Sequence, residues 1–599
     1  MTSVFVLISL ICLGFQLVDV ILACESWENN VCRKPREKLL EKYLMEQNWI
    51  LYQACMREEP PHFKPIPLQD WRNISIPDYK KALELISKYI EYDDLMKELP
   101  EEISSKSYIS NIYHNAAVCL YEEDSVNVEK ECKKKWISEI YDIFEKDNNW
   151  KKREHYWASW RNATGKKIKE RFQQNYKSIA KIYSGNEYWA LNYNTTRDNM
   201  FQDIDKAWKE LLPLYQQLHA YIRRKLIKKY EEGTIRENGP IPEHLLDILG
   251  DNWWGLKDSI LPFPEEKDLA TVTAEQNMTI SQIIEICEKF YESIGFQNLG
   301  EEFWQHLKKI KTNGSDCQNS VFAGCDGFHA SVTICHKEGN GNYFFYYLIQ
   351  NLISVHFQIW NSQHRKCGWA DVLNGYPNPG FESGIKGVVD ISVSTRNFST
   401  SIGITNANSY APENIFNINH LMKMALWSFV SLQYYYNIAK WMLDLSTGAI
   451  QPQEMNTKWW EYSLKYRGVC PSVKRTELDF DPGALSEIAN NLPVVREFLG
   501  RIYQFQFHKG LCKIMGTDAS LQSCNIYKSN EAGNRIRKMM ALGRTEPWQE
   551  AMKLMTNEEN TGLDVQPLLD YYKPLYEWLV EQNKNESIGW ESDDATICP

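Results

Sequence analysis

The chain has 599 residues, 43% hydrophobic and 24% charged, which is enough apolar chain for a large core in an ordinary globular protein. Its net charge of −11 argues against nucleic acid or an anionic membrane surface as a partner, because phosphate binding needs a basic face. The 13% aromatic share suits either an aromatic core or a peptide-binding cleft, and the core is the plainer reading.

At the N-terminus, the apolar run Val4–Phe15 followed by Ile21-Leu22-Ala23 reads as a signal peptide, residues 1–23, cleaved near Ala23. A membrane anchor is the alternative, but Asp19 interrupts the run. No second long apolar run follows, so residues 24–599 are expected to be secreted and extracellular, with no stable membrane anchor. Cys12 leaves with the signal, and the remaining fourteen of fifteen cysteines suit a disulfide framework. Sequons at Asn73, Asn162, Asn194, Asn277, Asn313, Asn397 and Asn585 fit a glycoprotein.

The body reads as helix after helix. Tyr79–Met96 carries Ala82, Leu83, Leu85, Ile86, Tyr89 and Ile90 at helical spacing. Met200–Lys229 carries Ile204, Trp208, Leu211, Tyr215, Leu218 and Ile222, an apolar stripe between charges. His420–Leu445 and Leu492–Leu511 follow the same pattern. Ser315–Cys335, with Gly324 and Gly327 between short β-branched pieces, predicts a small hairpin or sheet. Gly239-Pro240-Ile241-Pro242 and Leu261-Pro262-Phe263-Pro264 mark helix ends rather than linkers. The fold class is mainly α, in one large domain.

The C-terminal half carries a specific series of motifs. Trp459-Trp460, Cys470-Pro471 and Arg475-Thr476 precede Asp479-Phe480-Asp481-Pro482-Gly483. Gln504-Phe505-Gln506-Phe507-His508, Cys512, Cys524-Asn525-Ile526-Tyr527-Lys528-Ser529 and Glu531-Ala532-Gly533 follow. With Leu214–Arg224, Gly239–Leu246 and Pro262-Phe263-Pro264 in the same order, the chain resembles the angiotensin-converting-enzyme family of zinc peptidyl-dipeptidases. The resemblance implies a two-lobed helical ellipsoid with a deep central cleft and a very small β component. It also implies disulfides Cys317–Cys335 and Cys512–Cys524, and Cys119–Cys132 in a longer loop than the family's. It leaves Cys24, Cys32, Cys55, Cys287, Cys325, Cys367, Cys470 and Cys598 unassigned.

The family's zinc is held by a His-Glu-x-x-His helix and a third ligand, and no His-Glu-x-x-His occurs in this chain. Counted from Cys335, the motif falls on Leu348-Ile349-Gln350-Asn351-Leu352; counted back from Asn378, it falls on Val355-His356-Phe357-Gln358-Ile359. The first register is preferred, because it makes Asn342–Trp360 one continuous helix and aligns Gln358 with a family Gln. Neither register supplies a ligand pair or a base. The third ligand, a Glu after Asn-Pro-Gly-Phe, becomes Ser383, with Glu382 one residue early. Gln318 replaces a helper His, Leu485 and Glu487 replace a Lys and a His that hold substrate, and Val494 and Glu497 replace two Tyr. An acid at 497 opposes a developing oxyanion.

Gln276 is retained at a carboxylate-binding position. One family chloride site is lost, with Ala190 and Ser463 in place of Arg although Trp459 stays. Tyr221 and Arg496 keep the other, unless Arg496 is simply a buried, paired helix residue. His329, His336, His356, His364 and Cys367 show no i, i+4 pair, and no Gly-x-Ser-x-Gly elbow is present. Zinc is therefore expected to be absent and at most one chloride bound. Three functions compete: a secreted pseudopeptidase that binds peptides or a secreted protein, an active peptidyl-dipeptidase with displaced ligands, and a scaffold acting through its outer surface.

Overall fold

The computed structural model describes residues 106–121, 134–173, 197–230, 235–264, 279–305, 341–363, 375–403, 412–489, 494–517, 519–557 and 561–598, with short pieces between 39 and 87 and the backbone of three strands between 308 and 336. The signal peptide, Gln276, Ala190, Gln318, Cys132, Cys317, Asn73, Asn194, Asn277 and Asn313 lie outside the described residues.

Helices dominate. α1 (Lys106–His114) leads into the antiparallel pair β1 (Ala117–Cys119) and β2 (Lys134–Trp136). α2 (Ile137–Lys146) and α3 (Trp150–Ala163) follow, the latter started by Asn149, whose side chain accepts from the Lys152 N–H. The predicted 200–229 helix is α4 (Arg197–Lys229), which runs on through Pro213. β3 (Ile241–Pro242) is a pair of residues in the Gly-Pro segment, so that segment does more than end a helix. α5 (Ile280–Ser293) begins with a capping box of Thr279 and Gln282.

The predicted hairpin is present and has a third strand. β5 (Ser320–Ala323) pairs antiparallel with β6 (Ala330–His336), and β4 (Lys308–Lys311) pairs parallel on the other side of β6. α6 (Gly341–Gln363) then spans both candidate positions for the zinc motif in one continuous helix. α7 (Gly380–Val393) starts where the Asn378 side chain accepts the Gly380 N–H at 2.8 Å.

The predicted 420–445 helix is interrupted. α8 (Glu413–Met424) and α9 (Ser431–Ser446) are joined by a π-helical turn, in which the Val430 N–H reaches back five residues to the Ala425 carbonyl at 3.0 Å. An extra residue in a turn leaves no trace in apolar spacing over a segment that is buried on most sides. α10 (Met455–Tyr462) leads to β7 (Val469–Cys470), which pairs parallel with β3. α11 (Val494–Ile514), α12 (Asn530–Leu542), α13 (Trp548–Thr556) and α14 (Gln566–Gln582) complete the chain.

The aromatic residues are core. Trp157, Trp160, Trp253, Trp441 and Trp460 are fully buried, and Phe172 packs on Phe480 at 4.8 Å. α7 and α11 approach closely because small residues face each other. A Cβ on Gly500 would meet the Ser383 Cβ at 2.5 Å and the Gly380 carbonyl at 2.9 Å. A Cβ on Gly387 would meet Gln504. This seam sets the geometry of the site described next.

Two groups of buried charge are paired. Glu243 lies between Arg161 at 2.7 Å and Arg467 at 2.8 Å, and the indole of Trp157 donates to it at 3.2 Å. Arg475 clamps Asp481, which also accepts from Trp460 at 2.7 Å. Such ions are tolerated inside only when their hydrogen bonds are satisfied in this way.

Cys470 is bridged to Cys598 and Cys512 to Cys524. Cys119 is disulfide-bonded, and Cys287 is a buried free thiol. Asn162, Asn397 and Asn585 are exposed. No described helix is long and apolar enough to cross a membrane.

Candidate functional site

The candidate site lies where α6, α7 and α11 meet. On α6, Leu348, Ile349 and Leu352 occupy the preferred register and are buried in the apolar core. Tyr291 donates its hydroxyl to the Ile349 carbonyl. His356, the one histidine of the other register, is 4% exposed between the rings of Tyr291 and Phe296, 4.6 and 5.0 Å away. Burial pushes its pKa down to about 3, so it is a neutral packing group.

Ser383 and Glu382 point to different neighbours. Ser383 donates to Glu497 on α11 at 2.9 Å, and Glu497 accepts from Arg496 at 3.0 Å. Glu382 accepts from Ser354 on α6 at 3.0 Å and pairs with Lys386 at 2.9 Å. Burial pushes the Glu382 carboxyl up, but Lys386 and Ser354 outweigh it and hold it below its ordinary value. Position 383 thus carries a hydroxyl, and the carboxylate beside it comes from the facing helix. Deeper along the same α6–α7 contact, Asp390 is buried, and burial lifts its pKa to about 6 against the opposing influence of Gln350.

These residues do not fit a zinc ion. Zinc needs several nitrogen, oxygen or sulfur donors converging at about 2 Å, and the ligand positions of either register on α6, Leu348 and Leu352 or Val355 and Ile359, are aliphatic. Among the described residues, the group of three potential ligands that converges is His508, Cys512 and Cys524. Its two sulfurs are joined as a disulfide and are not thiolates.

The two expected chloride residues each have a protein partner. Tyr221 on α4 donates to the Ile260 carbonyl at 2.9 Å and packs on Trp578 at 5.2 Å, while Arg496 pairs with Glu497. No hydrogen bond or ion pair joins the two among the described residues. Ser463 is buried and accepts from Asn437 at 3.3 Å, with Trp459 buried nearby on α10.

Glu487 lies in a short helical turn, Ser486–Ala489, after the buried Leu485. It accepts from Tyr434 on α9 at 2.7 Å and from Ser486 at 3.0 Å. Burial raises its pKa, and nearby Asp251 adds to the effect.

The sequence match extends over almost the whole chain. A family model described as "Angiotensin-converting enzyme" matches residues 27–590. This chain belongs to the angiotensin-converting enzyme family. It is similar to angiotensin-converting enzyme of Mesocricetus auratus, 32% identical over 593 residues, which covers 94% of this chain and 42% of the relative. The mouse relative, from Mus musculus, is 30% identical over 551 residues, 88% of this chain and 39% of the relative. The relative from Theromyzon tessulatum is 29% identical over 544 residues, 87% of this chain and 83% of its own length. The chain therefore spans about two fifths of the mammalian angiotensin-converting enzymes it matches.

Sequence reasoning within the angiotensin-converting enzyme family located Ser383, Glu487 and Glu497 but not their surroundings. It passed over Asp247 and Asp251, which belong to the neighbourhood of Glu487. A pair of acids flanking a glycine in the apolar stretch Leu245–Trp254 is the signal that marks them, since buried carboxyls are rare without partners. It also left Cys470 and Cys598 unpaired, and they are joined.

Proposed function

We propose that this chain is a secreted family member that binds peptides, or an extended segment of a secreted protein, without hydrolysing them. The observation that carries this reading is the site itself. In the register preferred from the sequence, the paired ligands become Leu348 and Leu352, both buried in the apolar core, and Ser383, at the position of the third ligand, is hydrogen-bonded to Glu497, which stands for a family Tyr. Glu497 carries negative charge toward the place where peptide hydrolysis would develop it, which is unfavourable. The same acids favour basic ligands. Secretion is supported by the apolar N-terminal run and by the disulfides Cys470–Cys598 and Cys512–Cys524.

The test combines three measurements on the purified protein: zinc content after dialysis against trace zinc, dipeptide release, and binding of a basic peptide by calorimetry. The expected result is no stoichiometric zinc, no chelator-sensitive release, and binding that weakens in Glu497→Ala. Zinc near one per chain with chelator-sensitive dipeptide release would overturn the proposal. So would basic-peptide binding that Glu497→Ala leaves unchanged.

A further inference from the structure

A recess opens between α10 and the C-terminal segment, and none of its lining residues belongs to α6, α7 or α11. Its volume is about 400 Å³. Small-molecule sites usually span about 300–1,000 Å³. One wall is α10 with the π-helical turn that continues it, Ser463–Arg467, which together contribute Thr457, Glu461, Leu464 and Lys465. The other wall is residues 592–596. That second wall is fastened on both sides. Before it, Trp590 donates to the Leu464 carbonyl at 2.6 Å. At its far end, the Thr596 carbonyl accepts the Arg475 N–H at 3.0 Å, and Cys598 is bridged to Cys470. Within it, Asp594 accepts the Thr596 N–H at 2.8 Å and pairs with Lys474 at 2.5 Å. The recess is therefore built by the fold and needs no ligand to hold it open.

Two opposite charges line this recess without meeting. Asp593 is exposed and, among the described residues, makes no hydrogen bond or ion pair, unlike Asp594 beside it. Lys465, on the other wall, is exposed too. Its ammonium lies 4.9 Å from the centre of the Tyr466 ring and pairs with no carboxylate among the described residues. Glu461 stands four residues before Lys465, the order in which Glu and Lys ordinarily pair along a helix. Here Glu461 pairs with Lys458 instead, at 2.7 Å. The π-helical turn accounts for this, because its wider turn carries the residue four ahead away from the line directly above. Leu464 and Ala595 add apolar surface to the same recess. An anion alone leaves Asp593 unanswered, and a cation alone leaves Lys465 unanswered. A molecule that carries both signs answers both.

We propose that this recess binds a small zwitterion of the amino-acid class, with its carboxylate on Lys465, its ammonium on Asp593 and its carbon chain against Leu464. The site is separate from the α6–α7–α11 site and does not depend on the peptide-binding reading. Both contacts are charge-assisted, but the recess is open to water, so each charge adds a few-fold to affinity rather than orders of magnitude.

The experiment titrates the full chain with glycine, γ-aminobutyrate and ε-aminocaproate, which separate the two charges by increasing lengths. Binding is followed by ligand-observed NMR. Each zwitterion is compared with the carboxylate and the amine that carry only one of its charges. At least one zwitterion is expected to bind saturably, and at least about threefold tighter than either single-charge analogue. Added salt is expected to weaken it. Lys465→Met and Asp593→Asn are each expected to bring the zwitterion down to the level of its single-charge analogues. Both positions are exposed, so the substituted chains keep the fold. Absence of saturable binding by all three zwitterions overturns the proposal. So does equal binding of a zwitterion and its single-charge analogues. Binding that survives either substitution unchanged overturns the assignment of Lys465 and Asp593 as the pair that reads the two charges.

Discussion

Asp251 has a consequence for stability. Burial, and then the neighbouring charge of Asp247, lift its pKa from 3.8 to about 7. The folded chain therefore keeps a proton that the unfolded chain releases. Below pH 3.8 the two states hold it equally, and as pH rises towards 7 the folded state loses ground. Asp251→Asn removes this term. The substituted chain is expected to gain stability relative to the wild type as pH rises from about 4 to about 7, with no further gain above. Urea titrations at several pH values check this, and a difference that stays flat across that window would refute it. The buried histidines work in the other direction. His219, His244 and His356 are pushed down to about 3 by burial, so they contribute stability at neutral pH that is lost as pH falls from 6.5. At this scale the site was half legible. Ser383 and Glu497 stand out because a motif fixes their positions, whereas Asp251 becomes informative only once it is known to be enclosed.

At the level of elements, the close approach of α7 and α11 governs the candidate site. Ser383 reaches Glu497 because Gly380, Gly384 and Gly500 let the helices pack with little between them. Gly500→Ala puts a methyl group 2.5 Å from the Ser383 Cβ and 2.9 Å from a backbone oxygen, neither of which can swing away. The expected cost is about 1–3 kcal/mol, the usual range for overfilling a packed interface. Denaturant unfolding reads the cost, and an unchanged midpoint would show that the seam has room. Helix existence was readable from apolar spacing, as in α4 and α11, because periodicity records which face is buried. The π turn between α8 and α9 and the third strand β4 were not readable. One depends on a single shifted hydrogen bond, and the other depends on pairing with a strand more than twenty residues away.

Over the whole molecule, the C-terminal segment is sewn back onto the middle of the chain. Arg223 donates to the Gly589 carbonyl at 2.6 Å, and Trp590 donates to the Leu464 carbonyl at 2.6 Å while packing on His219. Cys598 then bridges to Cys470 on the β3–β7 pair. A Cys470→Ser/Cys598→Ser chain is expected to melt at a lower temperature. In the chain-entropy picture the bridge is worth about 4–5 kcal/mol for a loop of this size. An unchanged melting temperature would mean that the non-covalent contacts hold the segment alone. The family resemblance anticipated the mainly helical architecture. It did not pair Cys470 with Cys598, because a partner 128 residues away is set by tertiary packing and not by local spacing.

That separation also imposes an order of events during synthesis. At about 5–20 residues per second, Cys470 leaves the ribosome on the order of ten seconds before Cys598 does. In an oxidising compartment its thiol spends that interval beside Cys512 and Cys524, which emerge sooner. Loop closure favours the pair only 12 residues apart, so Cys512 and Cys524 consume each other first. The local bridge thereby protects the distant one: it removes the two nearest competitors before the correct partner of Cys470 arrives.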